Sequence, residues 1–181
     1  MAENKNLTYV SDADKLSAAE LIAYILREHH DYVRGETAAL RRQADEARDL
    51  YGAAHPELAR IAVVVGDILL DMDIHQTKEE KMLFPYIEAL AAATEAGAPL
   101  PQSCFGDVRN PIRVMEHEHE HVHSLLEELR VLTQDFTAPQ PELADFYGRL
   151  KRFAQNTDRH VLVENEVLFK KAITLQDHIA G

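Results

Sequence analysis

Apolar positions recur every three or four residues along most of this chain, the spacing of one helix face, and period-two alternation is nearly absent. Four stretches carry the pattern. The first opens at Ser17-Ala18-Ala19-Glu20, a Ser-x-x-Glu arrangement that caps a helix start, and runs to about Tyr51. The second starts at Pro56, which suits a first helical turn, and runs toward Gly97. Pro85 is expected to kink it or unwind one turn, because proline lacks the N–H and crowds the carbonyl four residues back. After the loop APLPQSCFGDVRN, Asn110-Pro111 starts a third helix that runs to about Gln134. TAPQP breaks the chain again, and a fourth helix spans about Glu142 to His178. The apolar run Ile61 to Leu70 has a strand-like composition but lies inside a longer helical pattern. Two short connections favour antiparallel neighbours, so the pattern predicts an all-α, up-down antiparallel four-helix bundle. Residues 1–16 form an N-terminal extension and 17–181 the bundle.

With 181 residues the chain is expected to be one domain, large enough to bury a core without disulfides. Its single cysteine, Cys104, has no partner for one. A formal charge of -12 would repel phosphates, which argues against nucleic acid and suits cations. MAENKNLTYVSDADK has no apolar centre and so does not read as a signal peptide. The Ile61–Leu70 run is too short for a bilayer and contains Asp67. These features point to a soluble cytoplasmic protein with no membrane partner and leave the oligomeric state open.

The chemistry lies in the histidines. Four of the ten fall in RVMEHEHEHVH, where His117 and His121 share one side of a helix and His119 and His123 another. They cannot all serve one site. Two other segments share a spacing: His75 with Glu79 and Leu83-Phe84, and His160 with Glu164 and Leu168-Phe169. Positions i and i+4 stack one turn apart, so each His–Glu pair can grip one centre. Each pair also interrupts an apolar stripe, Ile61-Val65-Ile68-Met72 before one and Phe146-Leu150-Phe153-Thr157 before the other. A buried, unpaired carboxylate costs several kcal/mol, roughly, or stays protonated, and a metal ion offsets that cost. The alternatives are a surface His–Glu pair or a merely structural polar row.

Register agrees with the metal reading. His30 and His75 lie at similar distances from the turn near Gly52–Ala54, as do His119 and His160 from Ala138. His75 is farther from its helix end than His119 is from its start, so the second helix should overhang and the long loop run back. Four histidines and two carboxylates from four helices suit two metal ions bridged by Glu79 and Glu164. Imidazole and carboxylate suit iron, and also admit zinc or manganese. On the first helix, periodicity prefers His29, in a row with Ile22, Ile25, Val33 and Leu40, and leaves His30 on the flank.

At these residues the chain resembles hemerythrin-like (HHE) di-iron domains, and more narrowly the repair-of-iron-centres (RIC) proteins. The resemblance covers roughly residues 17–171, including SAAELIAYILREHHDYVR, HQTKEEKMLFPYI, FGDVRNPIRVMEHEH and HVLVENEVLF. It implies a hemerythrin-like bundle with a non-haem centre of two iron ions held by His30, His75, Glu79, His119, His160 and Glu164. On the first helix it selects His30, and on the third His119, in a row with Met115, Val122 and Leu126. The implied function is iron–sulfur cluster repair under nitrosative or oxidative stress, by iron donation or nitric oxide chemistry. Damaged iron–sulfur proteins and diatomic ligands (O2, NO) would be its partners. RIC proteins often carry an N-terminal Cys-Cys pair, and no cysteine precedes the first helix here, so a step needing such thiols is expected to be missing or supplied by another protein. Oxygen-carrying hemerythrins have His-x-x-x-His on the third helix, as His119 and His123 would form. That spacing makes His123 a candidate fifth histidine, with a place behind the ligands or on the flank of the bundle as alternatives, and makes reversible O2 or NO binding or sensing the second functional reading. Glu118, placed on the apolar side between Val114 and Leu125, is expected to have a raised pKa or a specific partner, and to shuttle protons as the candidate catalytic group.

Overall fold

The computed structural model describes residues 10–181. Its four long helices cover residues 18–51, residues 57–96, Arg109–Leu132 and residues 144–180, the last entered through a 3-10 turn at Pro141–Leu143. The all-α four-helix bundle expected from periodicity is the fold observed, and the helix boundaries fall close to those read from the caps. Ser17 caps the first helix as its sequence indicates: its Oγ accepts from the Glu20 N–H at 3.2 Å, and Glu20 accepts from the Ser17 N–H at 2.9 Å. The N-terminal extension is partly helical, with a turn at Val10–Ala13 that buries Ala13; residues 1–9 lie outside the described residues.

The second helix ends where Gly97 adopts φ 61°, a left-handed conformation glycine takes without a Cβ clash. The loop beyond it does run back. Phe105 meets Tyr86 edge-on at 4.9 Å, and the Val108 N–H donates to Gln176 of the fourth helix at 2.9 Å. The third helix ends at Leu132, slightly short of the expected Gln134, because Gln134, Asp135 and Phe136 all take positive φ. Left-handed conformations cost these residues about 1–2 kcal/mol each. Thr133 helps hold the turn, its Oγ1 accepting from the Phe136 N–H at 3.0 Å.

Three of the helices contain one π turn, at Leu26–His30, Glu79–Leu83 and Glu164–Leu168. In each the closing N–H reaches five residues back: Asp31 to Leu26, Phe84 to Glu79, and Phe169 to Glu164. Such turns insert one residue into a helix and frequently mark functional sites. Pro85 therefore sits in the first turn of the helix that resumes after the second of them, and the one unwound turn expected beside it is this π turn; the helix is not broken.

Two apolar clusters fill the bundle. One lies toward the helix turns and includes Leu40, Leu58, Ile61, Ile68, Leu126, Phe146 and Leu150. The other lies toward the opposite end and includes Leu21, Ile25, Leu83, Phe84, Ile87, Met115, Val167 and Phe169. All three π turns lie at the boundary between them, two of them running into the second cluster through Leu83, Val167 and Leu168.

Candidate metal centre

Between the two apolar clusters lies a layer of six buried polar side chains: His30, His75, Glu79, His119, His160 and Glu164, none more than 2% exposed. The structure brings together the six residues singled out in the sequence. Each helix delivers one imidazole, and the second and fourth each add a carboxylate one turn later. They form two groups that share both carboxylates. In one, His30 Nε2 lies 3.2 Å from His160 Nε2, 3.3 Å from Glu79 Oε2, and Glu164 Oε1 is 2.8 Å from His160. In the other, His75 Nε2 lies 2.9 Å from His119 Nε2, with Glu79 Oε1 at 3.3 Å from His75 and Glu164 Oε2 at 3.2 Å from His119. Each carboxylate thus turns one oxygen to each group. Within each group the ligand atoms all lie within 4.8 Å of one another.

Hydrogen bonds at the outer nitrogens determine what the inner nitrogens can do. His30 Nδ1 donates to Glu80 at 2.7 Å, His75 Nδ1 to Glu118 at 3.0 Å, and His119 Nδ1 to Asn165 Oδ1 at 2.9 Å. Carboxylate and carbonyl oxygens only accept, so in the neutral rings the proton sits on Nδ1 and Nε2 carries a lone pair. Those lone pairs converge on four carboxylate oxygens. Among the described residues, Glu79 Oε1, Glu79 Oε2 and Glu164 Oε2 have no hydrogen-bond donor. Imidazole nitrogens bonded to one ion at about 2.1 Å stand about 3 Å apart when adjacent, which is the spacing found in both groups. The donor set fits a cation in each.

Without a metal, the carboxylates favour a proton on two of the imidazoles. Burial alone would lower His75, but Glu79, Glu164 and Glu118 outweigh it and push the imidazole up to about 9. His30 is raised too, burial being overcome by Glu79 and Glu164. Burial would raise Glu164, but the His160 and His119 rings hold it well below the usual carboxylate range. Burial pushes His160 down, against the attraction of Glu164. Metal binding at such a site releases protons.

The π turn at Leu26–His30 explains why periodicity favoured the wrong imidazole. An added residue carries the inward row from Ile25 to His30, five positions on, where a 3.6-residue period points to His29. His29 is buried as well, but it donates from Nδ1 to Asn156 Oδ1 at 3.1 Å and packs against His160.

One expectation is corrected, and another is met in one of its two forms. His123 is exposed and belongs to neither group; it lines the rim of a cavity of about 570 Å³ between the third and fourth helices. The inward row of the third helix is Met115, His119, Val122 and Leu126, and a residue one turn past His119 has already rotated outward. Glu118 has the specific partners that were expected, but its pKa is lowered. Burial, which would raise it, is outweighed by the Lys78 ammonium and His75. It forms an ion pair with Lys78 and is only partly buried, since the Val114 side of the helix faces solvent. His117 and His121 are exposed, His121 lying 3.4 Å from Asp71.

Sequence reasoning missed the outer partners Glu80 and Asn165. Each directly follows a shared carboxylate, and each reaches the histidine of a neighbouring helix. Arg34 in turn pairs with Glu80. No described helix is long and apolar enough to cross a membrane.

Residues 21–172 match the family model of the hemerythrin HHE cation binding domain. The chain is similar to the iron-sulfur cluster repair protein YtfE of Dickeya chrysanthemi, at 28% identity over 90% of this chain and 69% of that protein. The corresponding figures for YtfE of Edwardsiella ictaluri are 29%, 85% and 65%, so the chain spans slightly less than two thirds of that relative. For the iron-sulfur cluster repair protein DnrN of Neisseria gonorrhoeae they are 28%, 84% and 89%.

Proposed function

The chain belongs to the hemerythrin HHE cation-binding family, and from that premise we propose that it is a di-iron protein acting in iron–sulfur cluster repair under nitrosative or oxidative stress. The observation that carries this reading is the convergence of four imidazole Nε2 atoms and two carboxylates in one buried layer between two apolar clusters. Bound there, iron would supply a redox-active cation and a binding position for a diatomic ligand. His30 and His160 would hold one ion and His75 and His119 the other, with Glu79 and Glu164 spanning both. Glu80, Glu118 and Asn165 orient three of the imidazoles and keep their Nε2 lone pairs inward. The apolar clusters on either side close the layer along the bundle axis, and cavities between helices reach it at His75 and His119.

The proposed partners are damaged iron–sulfur proteins, in line with the names of the relatives, and the proposed role is iron delivery or nitric oxide chemistry. Residues 17–181 are the proposed functional unit. Reversible O2 or NO binding or sensing is the second reading, and the exposed position of His123 weighs against the fifth histidine that would liken the chain to oxygen carriers. The test is reactivation of a nitric-oxide-damaged iron–sulfur enzyme by the iron-loaded protein under anaerobic conditions. Recovery accompanied by iron loss from this protein is expected. No recovery, with reversible oxygenation in air, would establish the carrier instead.

A further inference from the structure

Three of the four cluster imidazoles have an acceptor for their outer nitrogen. The fourth does not. His160 Nδ1 is buried and has no hydrogen-bond partner among the described residues. The face of its ring is covered instead by His29, with centroids 5.2 Å apart and planes within 5°. His29 is itself tightly held. Asn156 donates from Nδ2 to the Glu28 carbonyl at 3.0 Å, which turns its Oδ1 toward His29 Nδ1 at 3.1 Å. Tyr24 meets the ring edge-on at 5.4 Å. The bundle's internal repeat makes the contrast plain. Glu118 precedes His119 on the third helix and accepts from His75; His29 precedes His30 on the first helix and only stacks on His160.

An imidazole that gives its Nε2 lone pair to a cation becomes a stronger donor at Nδ1, and an acceptor there strengthens the metal bond. Loss of such a partner typically lowers metal affinity 10–100-fold, roughly. We propose that the two metal positions are unequal, that the His30–His160 position is the weaker, and that His29 is the positioning residue that keeps the His160 ring aimed at it. The inference rests on the two-ion reading above and deepens it: the ion between His30 and His160 is the one given up to an acceptor.

Access works the other way. The large cavity touches His119 and Asn165, and a smaller one touches His75 and Glu118, so solvent approaches the opposite position. Equilibrium occupancy therefore discriminates where release rates do not. The experiment is an anaerobic Fe(II) titration against a competing chelator, with anomalous diffraction from crystals loaded with one equivalent. Two binding steps separated by about 10–100-fold are expected, the first filling His75–His119. His29→Ala should weaken only the second step, by about tenfold, and His29→Phe should restore it because a flat ring still stacks. Asn165→Ala should weaken the first step and bring the two together. Equal steps in the wild-type protein, first filling of His30–His160, or a His29→Ala effect on the first step would overturn the inference. A wild-type total below two ions overturns the two-ion reading beneath it and is recognised separately by its stoichiometry.

Discussion

The second and fourth helices build the same local structure from different sequences. His75 to Pro85 and His160 to Lys170 each place a histidine, a carboxylate one turn later, a π turn and a Leu-Phe pair. Only the first contains proline. A proline at 85 would crowd the Lys81 carbonyl in an α-helix, and it is tempting to make it the cause of the wider turn. The fourth helix is widened in the same way with Lys170 in that place, so proline is tolerated by the turn and does not create it. What the segments share is a buried row that advances in steps of four: His75, Glu79, Leu83, Ile87, and His160, Glu164, Leu168, Ala172. A 3.6-residue helix drifts by about 40° with each step of four, and a π turn takes up the extra residue. The turn keeps the carboxylate and the apolar row beyond it facing the same interior.

If the two segments are equivalent halves of one centre, the largest effect comes from their carboxylates. Glu79 and Glu164 each face both groups, so Glu79→Ala and Glu164→Ala should each reduce iron loading from two ions to one or none, to similar extents, by elemental analysis. Two ions retained in either variant would break the equivalence. Stripping iron from the wild-type protein should lower its stability by about 4 kcal/mol for each ion whose free concentration stood a thousandfold above its Kd, read as a fall in melting temperature.

The outer partners come next. Glu80→Gln and Glu118→Gln each weaken the carboxylate behind one histidine, and each should lower the affinity of one ion by roughly tenfold, measured by chelator competition. A tenfold effect from one and none from the other would show that Arg34–Glu80 and Lys78–Glu118 are not equivalent supports.

Acid should separate the halves further, through His29. Burial, reinforced by His160, lowers this imidazole to about 4. It is lower in the folded than in the unfolded chain, whose ordinary value is about 6.5. The unfolded chain therefore takes up the proton first. The contribution of His29 to metal-free stability is intact above pH 6.5, roughly, and is lost as pH falls toward 4. Denaturant titrations across that window should show a shallower loss in His29→Phe than in the wild type, and parallel curves would contradict the burial argument.

The smallest effect belongs to proline. Pro85→Ala should leave iron loading unchanged and shift stability by no more than about 1 kcal/mol, because the fourth helix makes its π turn without proline. A loss of iron in this variant would make Pro85 a determinant of the centre after all.

The fold was legible in the sequence because caps and apolar spacing act locally: Ser17-x-x-Glu20 and Gly97 mark helix ends wherever they occur. The six-residue layer was legible for a related reason, since His–Glu pairs interrupting apolar stripes are costly unless something binds there. Periodicity failed at His29 and His30, where a π turn shifts the phase by one residue and nothing in LREHH announces it. It failed at His123 because one turn of drift separates a buried histidine from an exposed one on the same side of a helix. For Glu118 a specific partner was expected and found, but the choice between that and a raised pKa was not legible because it depends on Lys78 of another helix. Glu80 and Asn165 went unnoticed for the same reason, their partners being distant in the chain.

The central claim is that this layer holds two ions that share Glu79 and Glu164. Iron-edge anomalous diffraction from fully loaded crystals tests it most directly. Two peaks are expected, about 3.5–4 Å apart, one bonded by His30 and His160 and the other by His75 and His119, with Glu79 and Glu164 reaching both. A single peak, or a second ion ligated by His123 in place of one of these six residues, would contradict the account.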